Sequence, residues 1–196
     1  MKHGFVKVAA ITPKIKVADT AYNSGLIMEA METASQAGAK VVVFPELCIT
    51  GYTCGDLFWQ NKLIASAKEE LLKIAAKSKD LDGIFFVGLP YDINGKLYNM
   101  AAAVSGGEVI GMVPKTFIPN YNEFYEARYF TSGENLCAVE FLPDGTEVYV
   151  DTDLIFRCED LPQLKIAAEI CEDLWTPEPP GIRHAMAGAN VIVNLS

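Results

Sequence analysis

An α/β fold is predicted, with helices covering a sheet that is parallel at its start and antiparallel later, and three observations predict it. Apolar β-like runs alternate with segments of helical period over residues 5–89. Asn94-Gly95 and Gly106-Gly107 then sit between short apolar runs, as hairpin turns do. Finally, Phe44-Pro45-Glu46-Leu47, Val113-Pro114-Lys115-Thr116 and Glu169-Ile170-Cys171-Glu172-Asp173 each place one reactive side chain just after a β-like run, where α/β sheets collect their chemistry.

Phe5 to Ile11 reads as a first strand. Asp19 to Gln36 reads as a helix, with Ile27, Ala30, Met31 and Ala34 at helical spacing and Gly38 where a C-cap falls. Lys40 to Phe44 is a continuous β-branched run, the pattern of a strand covered on both faces. From Leu57 to about Ser78 the spacing of Leu63, Ala67, Leu71, Ile74 and Ala75 predicts a second helix, and Gly83 to Leu89 a strand.

Lys96 to Val104 and Glu108 to Val113 are the hairpin strands that turn the sheet antiparallel. Residues 116–136 form a loop rich in Phe and Tyr, too long and too aromatic for a mere tether. Pro143-Asp144-Gly145 is a tight turn between strands, and Leu164 to Ile170 is the strand that delivers Cys171. A proline-rich stretch, a short helix near Ile182 to Ala187 and a strand from Ala189 to Leu195 complete the order. That last run has the pattern of a central strand with no polar tail behind it, so the 196 residues are expected to be an incomplete domain.

A chain of this length buries roughly 70% of the surface it exposes unfolded, enough for one core. Its net charge of −9, with Lys and Arg scattered, sets it against a polyanion, so nucleic acid is not an expected partner. No apolar run approaches the ~20 residues of a membrane span. Met1-Lys2-His3-Gly4 leads into a strand and not a signal peptide, which places the protein in the cytoplasm. Cys48, Cys54, Cys137, Cys158 and Cys171 are odd in number and lack a CxxC pair, which argues for free thiols over disulfides or zinc.

A thiol, a carboxylate and an ammonium are what cleavage of an amide through a thioester requires: nucleophile, proton acceptor and oxyanion clamp. Cys171, Glu46 and Lys115 supply that set if they converge. Rivals are scarce, because the only histidines are His3 and His184 and there is neither a GxxxxGK[ST] loop nor a GxGxxG turn. Each residue also has a plainer reading: Cys171 as a buried structural cysteine, Glu46 at the surface, Lys115 solvated.

At these segments the chain resembles the nitrilase superfamily of carbon-nitrogen hydrolases. Within it the wording of residues 45–58, 115–130 and 169–175, together with Gly88-Leu89-Pro90, is similar to the glutaminase domains of glutamine-dependent NAD synthetases. The resemblance implies a four-layer αββα sandwich, truncated at its C-terminal end, spanning residues 1–196. It implies Glu46 as general base, Cys171 as nucleophile, and Lys115 with the backbone N–H of Glu172 as oxyanion donors. It also implies a glutamine pocket lined by Tyr52, Tyr121 and Glu126, with Glu126 or Glu172 meeting the substrate's ammonium group; the two tyrosines are equally readable as packing residues, and Trp175 as core or pocket wall.

By the same resemblance the glutaminase step needs no cofactor and no metal. Ammonia would pass to a downstream domain, absent here, that uses ATP and Mg to amidate deamido-NAD, and the protein would be a homo-oligomer. The isolated residues are expected to be weakly active or inactive. A stand-alone amidase of ω-amidase or carbamoylase type and a catalytically inactive interaction module are the alternatives.

Overall fold

The computed structural model describes residues 4–196; Met1 to His3, on which the reading of the leader rests, lie outside the described residues. Among the described residues ten strands form two sheets. The larger has β1 (Val8–Ala10), β2 (Val41–Val43), β3 (Ile84–Ile93), β4 (Lys96–Ser105), β5 (Glu108–Pro114), β6 (Cys137–Phe141) and β7 (Glu147–Asp151), in the order β1-β2-β3-β4-β5-β7-β6. The smaller has β8 (Phe156–Arg157), β9 (Lys165–Ile170) and β10 (Val191–Leu195), in the order β10-β9-β8.

β1, β2 and β3 run parallel, whereas β3-β4-β5 is an antiparallel meander, so the sheet changes sense where the Asn94-Gly95 turn predicts. Asn94 and Gly95 have φ of 51° and 78°, the positive pair that such a two-residue turn demands. β9 and β10 are parallel and carry the third crossover helix between them.

Helices α1 (Thr20–Gln36) and α2 (Asn61–Lys77) cover one face of the large sheet. Asp19 caps α1 by accepting from the Tyr22 N–H at 3.2 Å. Ile27 and Met31 of α1 and Leu71 and Ile74 of α2 are wholly buried against Val42, Phe85, Val87 and Met100; each such side chain stabilises the layer by about 1.5–3 kcal/mol. The alternate strand positions Val41, Phe86, Ala101, Ala103 and Val113 face the small sheet, meeting Ile166, Ala168, Ile170 and Val193. Helix α3 (Pro180–Met186) lies on the outer face of β9, where the Gly181 N–H donates to Glu169 at 3.1 Å. The layers are therefore α, β, β, α, as the resemblance implies.

Four elements depart furthest from the sequence reading, the first being β8, which has no counterpart in it. α2 begins at Asn61 and not Leu57, because Gly55–Trp59 winds more tightly as a 3-10 turn that buries Phe58, and Gln60 is extended. β1 is only three residues long. β3 runs past Pro90 to Ile93. Gly88 turns its N–H and C=O toward the segment after β2, to Cys48 Sγ at 3.4 Å and the Ile49 N–H at 3.1 Å; by alternation the Pro90 nitrogen points the same way, so β4 loses no hydrogen bond.

Candidate functional site

The three segments singled out in the sequence close on one another at one edge of the sandwich. After β2, Pro45 turns the chain, Leu47 takes φ of 52°, and the Cys48 and Gly51 N–H groups close back onto Pro45 and Leu47 at 3.3 and 2.7 Å. This turn sits directly on β3: a Cβ at Gly88 would lie 2.3 Å from Leu47 N, 2.6 Å from Pro45 O and 2.8 Å from Glu46 C. Only glycine permits that approach.

Lys115 follows β5 and is held on both sides of its peptide. Its N–H donates to the Asn99 carbonyl at 2.8 Å, and its carbonyl accepts from Gly133 N–H at 2.7 Å. Cys171 follows β9 at φ of 45° and opens a 3-10 turn, Cys171–Trp175, whose first N–H groups have no partner within the turn. Asp173 fixes that turn to the Lys115 segment: it accepts from Ile170, Thr116 and Phe117 N–H groups at 3.0, 3.1 and 2.8 Å.

Inside this frame lies a buried charge network. Lys115 Nζ is 2.6 Å from Glu46 Oε1 and 2.8 and 2.9 Å from the two oxygens of Glu126. Asn99 Nδ2 donates to Glu46 Oε1 at 2.6 Å, and Tyr52 OH to Glu126 Oε1 at 2.8 Å. Lys115 is completely shielded from solvent, and Glu46 and Glu126 nearly so. Buried charges persist when paired in this way.

Burial raises the Glu46 carboxyl above its usual range, with the Lys115 charge pulling the other way. Burial works to lower the Lys115 ammonium, but Glu46 and Glu126 outweigh it and hold it above its usual value, so it stays a cation. The Cys171 thiol is pushed up, by burial first; Ser196, whose hydroxyl donates to Sγ at 3.3 Å, and the Lys115 charge pull it down, while the charge and the hydrogen bonding of Glu46 raise it. The sulfur thus feels the carboxylate and the ammonium together, and the unpaired thiol stays protonated until a base takes its proton.

Of the residues implied as pocket lining, Tyr52 meets Glu126, and Tyr121 donates to both oxygens of Glu172 at 2.8 and 2.9 Å at the exposed surface. Glu126 departs from expectation. Both its oxygens are engaged by Lys115 and it is 4% exposed, so it holds the lysine. Trp175 is 74% exposed, which corrects its reading as core.

Asn99 and Asp173 were missed as parts of the site. Their signals were present: Asn99 is the one polar residue in the apolar run Leu97 to Val104, and Asp173 is an acid beside a buried strand. Among the described residues no cluster of three or more His, Cys, Asp or Glu side chains is arranged to hold a metal ion. No helix among them is long and apolar enough to cross a membrane.

Asp173 yields a pH prediction. Burial, against the pull of the Phe117 and Ile170 N–H groups, pushes its carboxyl up to about 6. The folded value lies above the unfolded one, so the native state binds the proton more readily and stability falls as pH rises from about 4 to about 6. A shift of about two units corresponds to at most about 3 kcal/mol. Asp173→Asn removes that contribution, so denaturant midpoints measured at mildly acidic and neutral pH should differ less in the variant than in the unaltered protein; equal slopes would refute the assignment.

The comparisons with known proteins agree with the fold. The carbon-nitrogen hydrolase family model matches residues 7–196. A glutamine-dependent NAD(+) synthetase of Mycobacterium tuberculosis is 37% identical over 195 residues, covering 100% of this chain and 29% of that protein. The crystal structure of a glutamine-dependent NAD(+) synthetase from Cytophaga hutchinsonii superposes with a TM-score of 0.84 at 30% identity, over 97% of this chain and 30% of the other. An amidase from Nesterenkonia, 21% identical with a TM-score of 0.69, covers 97% of this chain and 64% of its own and shares the fold. The chain thus spans about 29% of the length of the relatives it matches. With its sandwich, its buried Glu-Lys-Glu network and a cysteine at the same edge, the chain belongs to the carbon-nitrogen hydrolase family.

Proposed function

We propose that this chain is the glutaminase part of a glutamine-dependent NAD synthetase, hydrolysing the side-chain amide of glutamine and releasing ammonia. The single observation that carries the reading is the buried pairing of Glu46 with Lys115 at 2.6 Å at the sheet edge to which β9 delivers Cys171. The identity to NAD synthetases over the whole chain supports the choice of glutamine over other amides.

In this reading Glu46 accepts the Cys171 proton as Sγ bonds to the amide carbon. The oxyanion so formed is met by the Lys115 ammonium and the Glu172 N–H. As the C–N bond breaks, the proton passes from Glu46 to the nitrogen and ammonia departs, leaving a γ-glutamyl thioester. Water then gives a proton to Glu46 and adds to the thioester; the C–S bond breaks, glutamate leaves, and the sulfur recovers its proton. Glu126 keeps Lys115 charged and placed throughout.

The Tyr121 to Glu172 pair at the surface is the recognition element for glutamine's charged end, with Tyr52 on the inner wall and the exposed Trp175 at the rim. Amidation of deamido-NAD, with its ATP and Mg, falls to sequence beyond residues 1–196. The free cysteines favour a reducing compartment and so the cytoplasm, and the family resemblance favours a homo-oligomer.

The test is covalent trapping. Diazo-oxo-norleucine should label Cys171, mapped by mass spectrometry, and glutamine should compete the label away. Labelling that glutamine leaves untouched, while a simple aliphatic amide suppresses it, would favour a stand-alone amidase. Absence of any Cys171 adduct in the protein extended to its relatives' length would favour an inactive module.

A further inference from the structure

Asn99 sits in the middle of β4 and is wholly buried. It touches both charged partners of the site: its side-chain amide donates to Glu46 Oε1 at 2.6 Å, and its main-chain carbonyl accepts the Lys115 N–H at 2.8 Å. Its own Oδ1 has no hydrogen-bond partner, one of two buried side-chain atoms in that condition among the described residues. A buried carbonyl is costly to leave unpaired. Turning the amide over would set Oδ1 against the Glu46 carboxylate, acceptor against acceptor, so the orientation is dictated by the charge of Glu46.

Glu46 Oε1 therefore receives two donors, Lys115 Nζ and Asn99 Nδ2, both at 2.6 Å, and Oε2 receives neither. We propose that Asn99 is a positioning residue for Glu46: with Lys115 it commits Oε1 as a fixed acceptor and leaves Oε2 as the oxygen that takes and returns the Cys171 proton. This rests on the reading of Glu46 as proton acceptor.

The groups facing Glu46 are Lys115 from the end of β5, Glu126 and Tyr52 from the two loops that bracket it, and Cys171 from the end of β9. Of these only Lys115, together with Asn99 from β4, opposes the effect of burial on its carboxyl. Removing Asn99 leaves burial and Glu126 less opposed, and the direction is upward.

The experiment measures the rate of Cys171 alkylation by iodoacetamide as a function of pH, read by mass spectrometry of the Cys171 peptide, in the unaltered protein, Asn99→Leu, Asn99→Asp and Glu46→Gln. Asn99→Leu should move the acid limb upward by about one pH unit, the size expected for one hydrogen bond to a charged acceptor, with the alkaline plateau kept. Asn99→Asp, nearly the same shape, should move it further because a second carboxylate then faces Oε1. Thermal melts establish that each variant is folded; if the leucine variant does not fold, the aspartate variant carries the same reading.

An acid limb that stays in place in the folded variants, or a rate lowered equally at every pH, would overturn the role of Asn99 provided that Glu46→Gln still alters the profile. If Glu46→Gln leaves the profile unchanged, the reading of Glu46 as proton acceptor fails first and the role of Asn99 falls with it.

Discussion

Lys115→Met is expected to destabilise the protein by about 3–5 kcal/mol at neutral pH, because it leaves Glu46 and Glu126 buried without their cation. The loss should depend on pH in a definite sense. Glu46, already raised by burial, would rise further once its cation is gone, so the native state would bind a proton more readily and the variant would regain stability as pH falls. The unaltered protein should recover less, because its lysine opposes the effect of burial on Glu46 and only the contributions of Glu46 and Asp173 remain.

The same substitution removes an oxyanion donor, and acylation of Cys171 should slow by about 10²–10³-fold even in acid, where the fold recovers. Denaturant titrations and thioester formation measured side by side separate the two effects. A variant as stable as the parent at neutral pH would mean that the Glu46 to Glu126 network is not charged as described.

Gly88→Ala has the second largest expected effect, and it works without touching any reactive group. A methyl at this position meets the backbone of Pro45, Glu46 and Leu47 at 2.3–2.8 Å, and backbone has no side-chain freedom with which to yield. The Glu46 turn must lift off β3, costing about 1–3 kcal/mol, and a displacement of that order at a reacting group lowers rates by about 10²-fold. A Gly88→Ala protein with an unchanged melting temperature and unchanged Cys171 labelling would contradict the close approach of the two segments.

The succession of strands and helices along the chain was legible because burial writes a period into it, whereas the strand order within each sheet was not: the Val41-Val42-Val43 run names a strand with two covered faces, and Ile27, Met31 and Ala34 name a helix with one. The positions of Glu46, Lys115 and Cys171 after such runs were legible for the same reason. What escaped depends on contacts remote in sequence. Glu126 reads as a pocket acid until Lys115, eleven residues earlier, is seen to occupy both its oxygens. The 3-10 winding of Gly55–Trp59 follows from packing of Phe58 on Tyr129 and Phe130, which no local spacing encodes. Pro90 suggests a strand end unless one knows that β2 has already stopped beside it.

The sulfur belongs to one sheet and its acid, amide and amine to the other. Greasy contacts such as Phe86 on Phe156, ring centroids 5.6 Å apart, press those two layers together but resist sliding poorly, since apolar attraction has no direction. Asp173 is different: rooted beside Cys171, it grips the Thr116 and Phe117 amides on the opposite layer, and so works as a dowel that keeps the halves in step. Alignment of the reactive atoms is thereby governed by a residue that takes no part in bond making, and slippage between the slabs would disarm the thiol while every strand remained intact.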